Sequence, residues 1–106
     1  MDIDLRPQDP QPLYQQLVEQ LRRQIVLGVL PSGAKLPTVR ELAVLARVNR
    51  NTAARAVQAL EAAGLVYTRV GRGTFVVEGA AEQGSEAVDR AVQQILDRAI
   101  AEASEL

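Results

Sequence analysis

The sequence predicts a mainly α-helical chain with a small β-hairpin: a winged helix-turn-helix followed by a C-terminal amphipathic helix. Apolar residues recur at helical spacing in three segments before residue 64, and a glycine-rich turn then separates two short β-type runs. We therefore assign residues 1–11 to a lead-in and residues 12–78 to the winged helix-turn-helix. Residues 79–106 are assigned to a linker and a last helix.

The first helix is predicted from a repeat of large apolar residues. Pro12 suits the first turn of a helix, where its missing N–H has no intrahelical partner. The apolar residues that follow recur every four positions: Leu13, Leu17, Leu21 and Ile25. The polar residues are expected mostly on the opposite face: Gln15, Gln16, Glu19, Gln20, Arg22 and Arg23. Gly28 suits the C-terminal end of this helix.

The second helix is predicted over Val39–Ala46, after a turn and a short extended piece. Residues 31–33 form a turn cluster, and Pro37 keeps the residue before it in the extended region. Thr38 and Glu41 have the spacing of a capping box, in which each side chain satisfies a free backbone N–H of the other residue. The residues expected in the core are Val39, Leu42, Ala43 and Ala46.

The third helix is predicted over residues 49–63, with Asn49 as a favourable N-cap. Its apolar residues share one face: Ala53, Ala56, Val57 and Leu60. Gly64 closes the helix in a left-handed conformation. Two β-strands are then expected at residues 65–69 and 74–77, around a glycine-rich turn. Two helices joined by a short turn and followed by a hairpin constitute a winged helix-turn-helix.

The composition changes after residue 79. Residues 80–84 are expected to form a loose linker, and Ser85 can cap a last helix with acidic residues on one face. An amphipathic helix at a chain end needs a partner for its apolar stripe, so we predict that this stripe forms a homodimer interface. The residues assigned to that interface are Val88, Val92, Ile95, Ala99 and Ile100.

The composition disfavours several classes of function. The chain contains no Cys and no His, which removes the thiolate zinc sites, the commonest general base and the commonest metal ligand. We therefore expect neither an enzyme nor a metal or cofactor, and the sequence assigns no effector ligand. No apolar run approaches the roughly 20 residues that span a bilayer. No signal peptide is recognisable, so a cytoplasmic protein without a membrane contact is expected.

The formal net charge of −1 conceals a segregated charge distribution. Residues 1–34 carry a net charge of −1, residues 35–77 carry +5, and residues 78–106 carry −5. A basic central third in a nearly neutral chain favours a nucleic-acid ligand for that third.

The predicted third helix has side chains suited to base recognition. Arg50, Asn51, Thr52 and Arg55 lie in its first turn and a half, where a recognition helix contacts base edges. Asn51 could bridge adenine, and an arginine could hold guanine through two parallel hydrogen bonds.

The flanking segments are suited to the sugar–phosphate backbone. Thr38 and Arg40, at the start of the second helix, are expected to contact the backbone and fix the register. Gly71, Arg72 and Gly73 would let the hairpin tip approach closely, with the arginine in or near the minor groove.

Structural roles compete with these assignments. Asn49 is a cap first, Thr38 and Glu41 are primarily a capping pair, and isolated surface arginines are usually solvated. A winged helix can also be a protein-interaction module whose basic face binds an acidic partner. The joint arrangement of a basic turn, a recognition helix and a basic hairpin favours double-stranded DNA.

The motifs also carry a family resemblance. L-P-T-V-R-E-L-A, V-N-R-N-T-A-A-R-A-V-Q-A-L-E-A-A-G-L-V and G-R-G-T-F-V resemble the N-terminal domain of GntR-type bacterial transcription regulators. The V-N-x-N-T-x-A-R motif and the short tail are most similar to the YtrA-type subgroup, which has a small helical dimerisation element. The resemblance implies DNA contacts by Arg40, Arg50, Thr52 and residues 71–73.

Two departures from the family pattern affect what the resemblance implies. Many members place an arginine where this chain has Ala54, so the role of Arg55 depends on helix geometry alone. YtrA-type tails usually have two helices after the hairpin, and one is recognised here. The combined interpretation is a DNA-binding transcription regulator, a repressor, that binds a pseudo-palindromic operator as a homodimer.

Overall fold

The computed structural model describes residues 2–81. Helix α1 spans Leu13–Val26, α2 spans Val39–Ala46 and α3 spans Arg50–Ala62; strands β1 and β2 span Val66–Arg69 and Gly73–Val76. Three helices followed by a two-stranded antiparallel hairpin confirm the predicted winged helix-turn-helix. The predicted tail helix and its five interface residues, Val88, Val92, Ile95, Ala99 and Ile100, lie outside the described residues. Within residues 2–81, no helix is long and apolar enough to cross a membrane.

Helix α1 buries the predicted apolar stripe, with one correction to its polar face. Leu17, Leu21 and Ile25 are buried, and Gly28 follows the helix with a φ of +78°. Gln16, one of the polar residues predicted mostly on the solvent face, is instead buried, with 8% of its surface exposed. The reason is that the N-terminal lead-in runs along this side of α1 and covers it.

The lead-in is held to α1 by three glutamine side chains spaced four residues apart. Gln16 accepts a hydrogen bond from the Arg6 N–H at 2.8 Å and donates to the Arg6 carbonyl at 3.0 Å. Gln20 makes the same pair of bonds with the main chain of Asp4, and Gln24 donates to the Asp2 carbonyl at 3.3 Å. Two extended residues advance about 6.6 Å and four helical residues about 6.0 Å, so the two repeats stay in register.

Helices α2 and α3 are joined by a turn that reverses the chain at Arg47. This residue adopts a left-handed conformation, with φ +57° and ψ +45°, and it is the one non-glycine residue among those described with a positive φ. The Val48 N–H then donates to the Ala43 carbonyl at 3.0 Å, which closes the C-terminal end of α2. Asn49 caps α3 one residue later, so the turn between the two helices is short.

The hairpin is attached to the helices by the segment before α2. Strands β1 and β2 pair in antiparallel register, with Tyr67 opposite Phe75 and Arg69 opposite Gly73. The other edge of β2 pairs with residues 33–36: the Leu36 N–H donates to Thr74 at 2.8 Å, and the Val76 N–H donates to Ala34 at 2.9 Å. The extended piece predicted at residues 35–36 therefore continues the sheet.

The core lies where the three helices meet the inner face of the hairpin. Its fully buried large side chains are Leu17, Leu21, Ile25, Leu42, Leu60, Val66 and Val76. Ala80, predicted to lie in a loose linker, is instead completely buried in this core. The Gly79 N–H donates to the Ser32 hydroxyl at 3.2 Å, and the Ala80 N–H donates to the Val77 carbonyl at 3.0 Å. The chain after β2 is thus packed at least as far as Ala80.

Candidate nucleic-acid interface

The N-terminal end of α3 presents polar side chains opposite a buried face. Arg50, Asn51 and Arg55 are exposed and Thr52 is half-buried. The opposite side of the helix is buried through Ala53, Ala56, Val57 and Leu60, so its orientation is set by the core. Asn49 acts as the cap, since its side-chain oxygen accepts the Thr52 N–H at 2.8 Å. The predicted cap and the predicted recognition face are therefore distinct sets of residues.

Arg55 is stacked on an aromatic side chain from α1. The centre of its guanidinium group lies 3.8 Å from the centroid of the Tyr14 ring. Tyr14 is half-buried at the second residue of α1, and its hydroxyl accepts a hydrogen bond from the Gln15 amide at 3.2 Å. Sequence reasoning missed Tyr14 because α1 and α3 are far apart in sequence. The signal available was an aromatic residue beside the leucine stripe of α1.

A cleft between the starts of α1 and α3 brings several of these residues together. Its lining consists of Pro12, Leu13, Tyr14, Asn49, Asn51, Thr52 and Arg55. Three predicted site residues, Asn51, Thr52 and Arg55, thus share one concave surface. Arg50 is the first residue of α3 and is exposed beside this cleft without lining it. The predicted recognition residues are divided between the cleft and its edge.

The start of α2 carries the second predicted group. The Glu41 N–H donates to the Thr38 hydroxyl oxygen at 3.1 Å, and the Thr38 N–H donates to the Glu41 carboxylate at 3.2 Å, which confirms the capping box. Hydrogen bonds from the Thr38 backbone and hydroxyl, with a smaller contribution from the charge of Lys35, lower the pKa of Glu41. Arg40 follows the cap as an exposed residue of the first turn.

The third predicted group, Gly71, Arg72 and Gly73, forms the end of the hairpin. Gly71 has a φ of +78°, and the Arg72 N–H donates to the Arg69 carbonyl at 2.9 Å, which closes a tight turn. Gly73 has a φ of +120°, and a Cβ there would lie 2.6 Å from the Lys35 side chain. Arg72 is exposed on this turn, next to the fully exposed Val70. The backbone conformation therefore accounts for glycine at both positions, independently of any ligand.

Cross-strand contacts stiffen the hairpin that carries this turn. The rings of Tyr67 and Phe75 stack with centroids 5.7 Å apart, and the Arg69 guanidinium lies 5.7 Å from the Tyr67 ring. The hydroxyls of Thr68 and Thr74 are 3.2 Å apart across the strands. The turn is consequently mounted on a paired β-ribbon.

The charges of this surface are not neutralised from within the described part of the chain. Between residues 2 and 81, the single ion pair closer than 4.0 Å joins Arg22 and Glu19 on α1. The same residues contain no group of three His, Cys, Asp or Glu side chains placed to hold a metal ion. Exposed guanidinium groups and an exposed amide can donate to phosphate oxygens and to acceptors on base edges.

Comparison with known families gives one match to most of the described chain. Residues 13–76 match the profile of the bacterial regulatory proteins of the gntR family. The matched segment begins at the first residue of α1 and ends at the last residue of β2. It therefore contains every element of the candidate interface.

Two similar proteins are transcription regulators named YtrA. The HTH-type transcriptional repressor YtrA of Bacillus subtilis is 38% identical over 78 residues, which are 74% of this chain and 60% of that protein. The chain is also similar to YtrA from Sulfolobus acidocaldarius, a GntR-family transcription factor. That structure has a TM-score of 0.74 at 30% identity and aligns with 95% of this chain and 99% of its own.

A third likeness is to a structure that contains DNA. The AraR DNA-binding domain in complex with operator ORX1 has a TM-score of 0.66 at 32% identity. The alignment covers 73% of this chain and 99% of the AraR chain.

Proposed function

The chain belongs to the GntR family of bacterial regulatory proteins, and we propose that it is a sequence-specific DNA-binding transcription repressor. In this proposal the chain acts in the cytoplasm, without a cofactor or an enzymatic reaction. It binds a pseudo-palindromic double-stranded operator as a homodimer. The residues assigned to DNA contact are Thr38, Arg40, Arg50, Asn51, Thr52, Arg55, Gly71, Arg72 and Gly73.

The observation that carries the proposal is the polar face at the start of α3. Arg50, Asn51 and Arg55 are exposed there, while the opposite face of the helix is buried. A helix of this kind can enter the major groove, where guanine and adenine edges present acceptors and donors to arginine and asparagine. Asn51 and Arg55 would read bases from the cleft, and Arg50 from its edge.

The groups on either side of α3 would hold it in register. Thr38 and Arg40 are exposed at the start of α2, where a helix N-terminus also attracts phosphate. Arg72 is on a hairpin turn whose two glycines allow close approach to a groove. Contacts to phosphate supply affinity without sequence information. In this proposal these flanking residues therefore contribute affinity, and the residues of α3 contribute specificity.

Two of the similar proteins support this assignment. The AraR domain was solved on an operator duplex and shares the fold with this chain at 32% identity. The YtrA protein of Bacillus subtilis is a transcriptional repressor and is 38% identical over its matched segment. The homodimer is inferred from the apolar stripe predicted for the tail, and a two-fold dimer would require two half-sites about one helical turn apart.

Selection of bound duplexes from a random pool tests the proposal directly. We expect the 106-residue chain to enrich one motif with two inverted half-sites, and to bind it less tightly as salt increases. The logarithm of the binding constant should fall linearly with the logarithm of salt concentration, because phosphate contacts release counterions. Failure to enrich any motif would contradict sequence-specific binding. Salt-insensitive binding to DNA would instead favour the protein-interaction module.

A further inference from the structure

Tyr14 is not among the residues proposed above to contact DNA. Its ring nevertheless contacts Arg55, one of the side chains proposed to read a base. The Arg55 guanidinium lies over this ring at 3.8 Å from the centroid. Both residues line the cleft between the starts of α1 and α3. A side chain of α1 thus contacts an arginine whose donors are proposed to reach a base.

A stacked arginine keeps its hydrogen-bonding groups available. The five N–H donors of a guanidinium group lie in its plane, whereas stacking uses the face of the group. A carboxylate in the same position would occupy two of these donors and neutralise the charge. Among residues 2–81, no carboxylate oxygen lies within 4.0 Å of Arg55. The ring of Tyr14 therefore restrains the guanidinium group and leaves its in-plane N–H donors available to a base.

The helices that carry Tyr14 and Arg55 are both packed into the core. Tyr14 is on the same helix as Leu17 and Leu21, which are completely buried. Arg55 is on the same helix as Ala56 and Leu60, which are completely buried in the same cluster. Because both helices are anchored in one core, the fold sets the separation of the two backbone positions that carry the ring and the guanidinium. An arginine side chain loses considerable rotamer freedom when it is ordered, and a prior restraint reduces that loss on binding.

We propose that Tyr14 is a specificity-determining positioning residue that holds Arg55 in the orientation for base readout. The inference rests on the proposed DNA-binding function and adds a residue from α1 to it. Tyr14 acts through Arg55, and its effect should therefore be confined to the base pair that Arg55 reads.

The test compares two variants of the 106-residue chain. Tyr14→Phe keeps the ring, while Tyr14→Leu keeps a large apolar side chain without a π face. Each is measured on the selected duplex and on duplexes changed at single base pairs. We expect Tyr14→Leu to reduce discrimination at one base pair about two- to fivefold, the range of a cation–π contact at an exposed site. Tyr14→Phe should restore discrimination at that base pair.

A double-mutant comparison identifies the partner. With Arg55→Lys, which retains the charge but removes the planar fork, the further change Tyr14→Leu should have no effect on discrimination. Equal losses for Tyr14→Leu in the two backgrounds would overturn the proposal. So would an equal loss for Tyr14→Phe and Tyr14→Leu, because the hydroxyl would then be responsible. Tighter binding by Tyr14→Leu would show that the stack withdraws Arg55 from DNA, which also overturns it.

A measurement without DNA separates the inference from the proposed function. In the NMR spectrum of the free chain, the ring current of Tyr14 should shift the Arg55 side-chain resonances upfield. The shift should persist in Tyr14→Phe and disappear in Tyr14→Leu; absence of the shift in the unmodified chain would overturn the inference. A chain that shows the shift but enriches no duplex would contradict the proposed function alone. Discrimination that is unchanged by Tyr14→Leu on the selected duplex would contradict the inference alone.

Discussion

At the scale of single residues, arginines with the same charge are held in different ways. Arg55 is stacked on Tyr14 above a cleft, on a helix whose other face is buried. Arg72 is exposed on a tight turn at the end of a β-ribbon. A restrained guanidinium is suited to a directed contact with one base, whereas an arginine on a projecting turn is suited to the phosphate backbone or a groove.

This difference predicts different consequences for the two alanine variants. Arg55→Ala should weaken binding to the selected duplex by about 1–3 kcal/mol and relax the choice of base at one position. Arg72→Ala should weaken binding to all duplexes similarly and reduce the salt slope by about one. Binding isotherms on selected and random duplexes at several salt concentrations measure both effects. Equal losses on selected and random DNA for Arg55→Ala would remove it from base readout.

At the scale of elements, the start of α2 depends on a titratable cap. Hydrogen bonds from the Thr38 backbone and hydroxyl lower the pKa of Glu41 in the folded chain. A carboxyl group with a lowered folded pKa contributes stability above its unfolded pKa, and that contribution is lost as the pH falls through the folded value. The capping box should therefore weaken in acid, in the range below about pH 4.3.

Comparison of Glu41→Gln with the unmodified chain isolates this effect. Glutamine still accepts a hydrogen bond from the Thr38 N–H but does not titrate. We expect the stability advantage of the unmodified chain to be largest at neutral pH and to shrink as the pH falls from about 5 to 3. Urea unfolding of both proteins across this range measures the difference between their free energies of unfolding. The contributions of the other carboxylates are common to both proteins and cancel in this difference. A difference independent of pH would show that the Glu41 charge does not contribute to the cap.

The lead-in is a second element whose attachment can be tested. The Gln16 amide makes three hydrogen bonds, two with the main chain of Arg6 and one with the Gln11 carbonyl at 2.8 Å. Gln16→Leu keeps the side-chain volume and removes all three, so we expect it to lower the free energy of unfolding by about 1–3 kcal/mol. Gln58→Leu, at an exposed position of α3, is the matched control and should change stability by less than about 0.5 kcal/mol. Equal effects of the two changes in urea unfolding would mean that the lead-in is not held by Gln16.

At the scale of the whole molecule, the proposed function requires two copies of the interface. A single copy offers few cations from α3, since residues 50–62 contain two arginines and one glutamate. The affinity of one copy should consequently be modest, and linking two copies increases it by making the second contact intramolecular. The acidic tail, with a net charge of −5 over residues 78–106, would be oriented away from DNA in such a dimer.

Sedimentation at micromolar concentration tests the homodimer. We expect the unmodified chain to sediment as a dimer, because the apolar stripe predicted to include Val92 and Ile95 would need a partner surface. Ile95→Asp should yield monomers, weaken binding to the complete operator and leave binding to a single half-site unchanged. Asp97→Ala, on the opposite side of the predicted helix, is the matched control and should remain dimeric. A monomer for the unmodified chain at this concentration would contradict the interface assignment.

Much of the fold was predictable because it depends on interactions between residues close in sequence. The capping pair of Thr38 and Glu41 acts within the first turn of α2, and the predicted helix over Val39–Ala46 is confirmed. The predicted third helix differs from α3 by one residue at each end, since Asn49 and Gly64 mark its limits locally. Capping, helical periodicity and glycine conformation are all local properties, so they can be predicted from short segments of sequence.

The tertiary structure alone decided the contacts between residues that are distant in the chain. The burial of Gln16 depends on the lead-in lying along α1, and the burial of Ala80 depends on the chain folding back onto the core after β2. The pairing of residues 33–36 with β2 and the stacking of Arg55 on Tyr14 depend on which elements become neighbours. No spacing rule connects such residues, because their distance is determined by the packing of whole elements. The sequence thus predicted α3 and its polar face, and the packing of α1 against this helix determined how Arg55 is held.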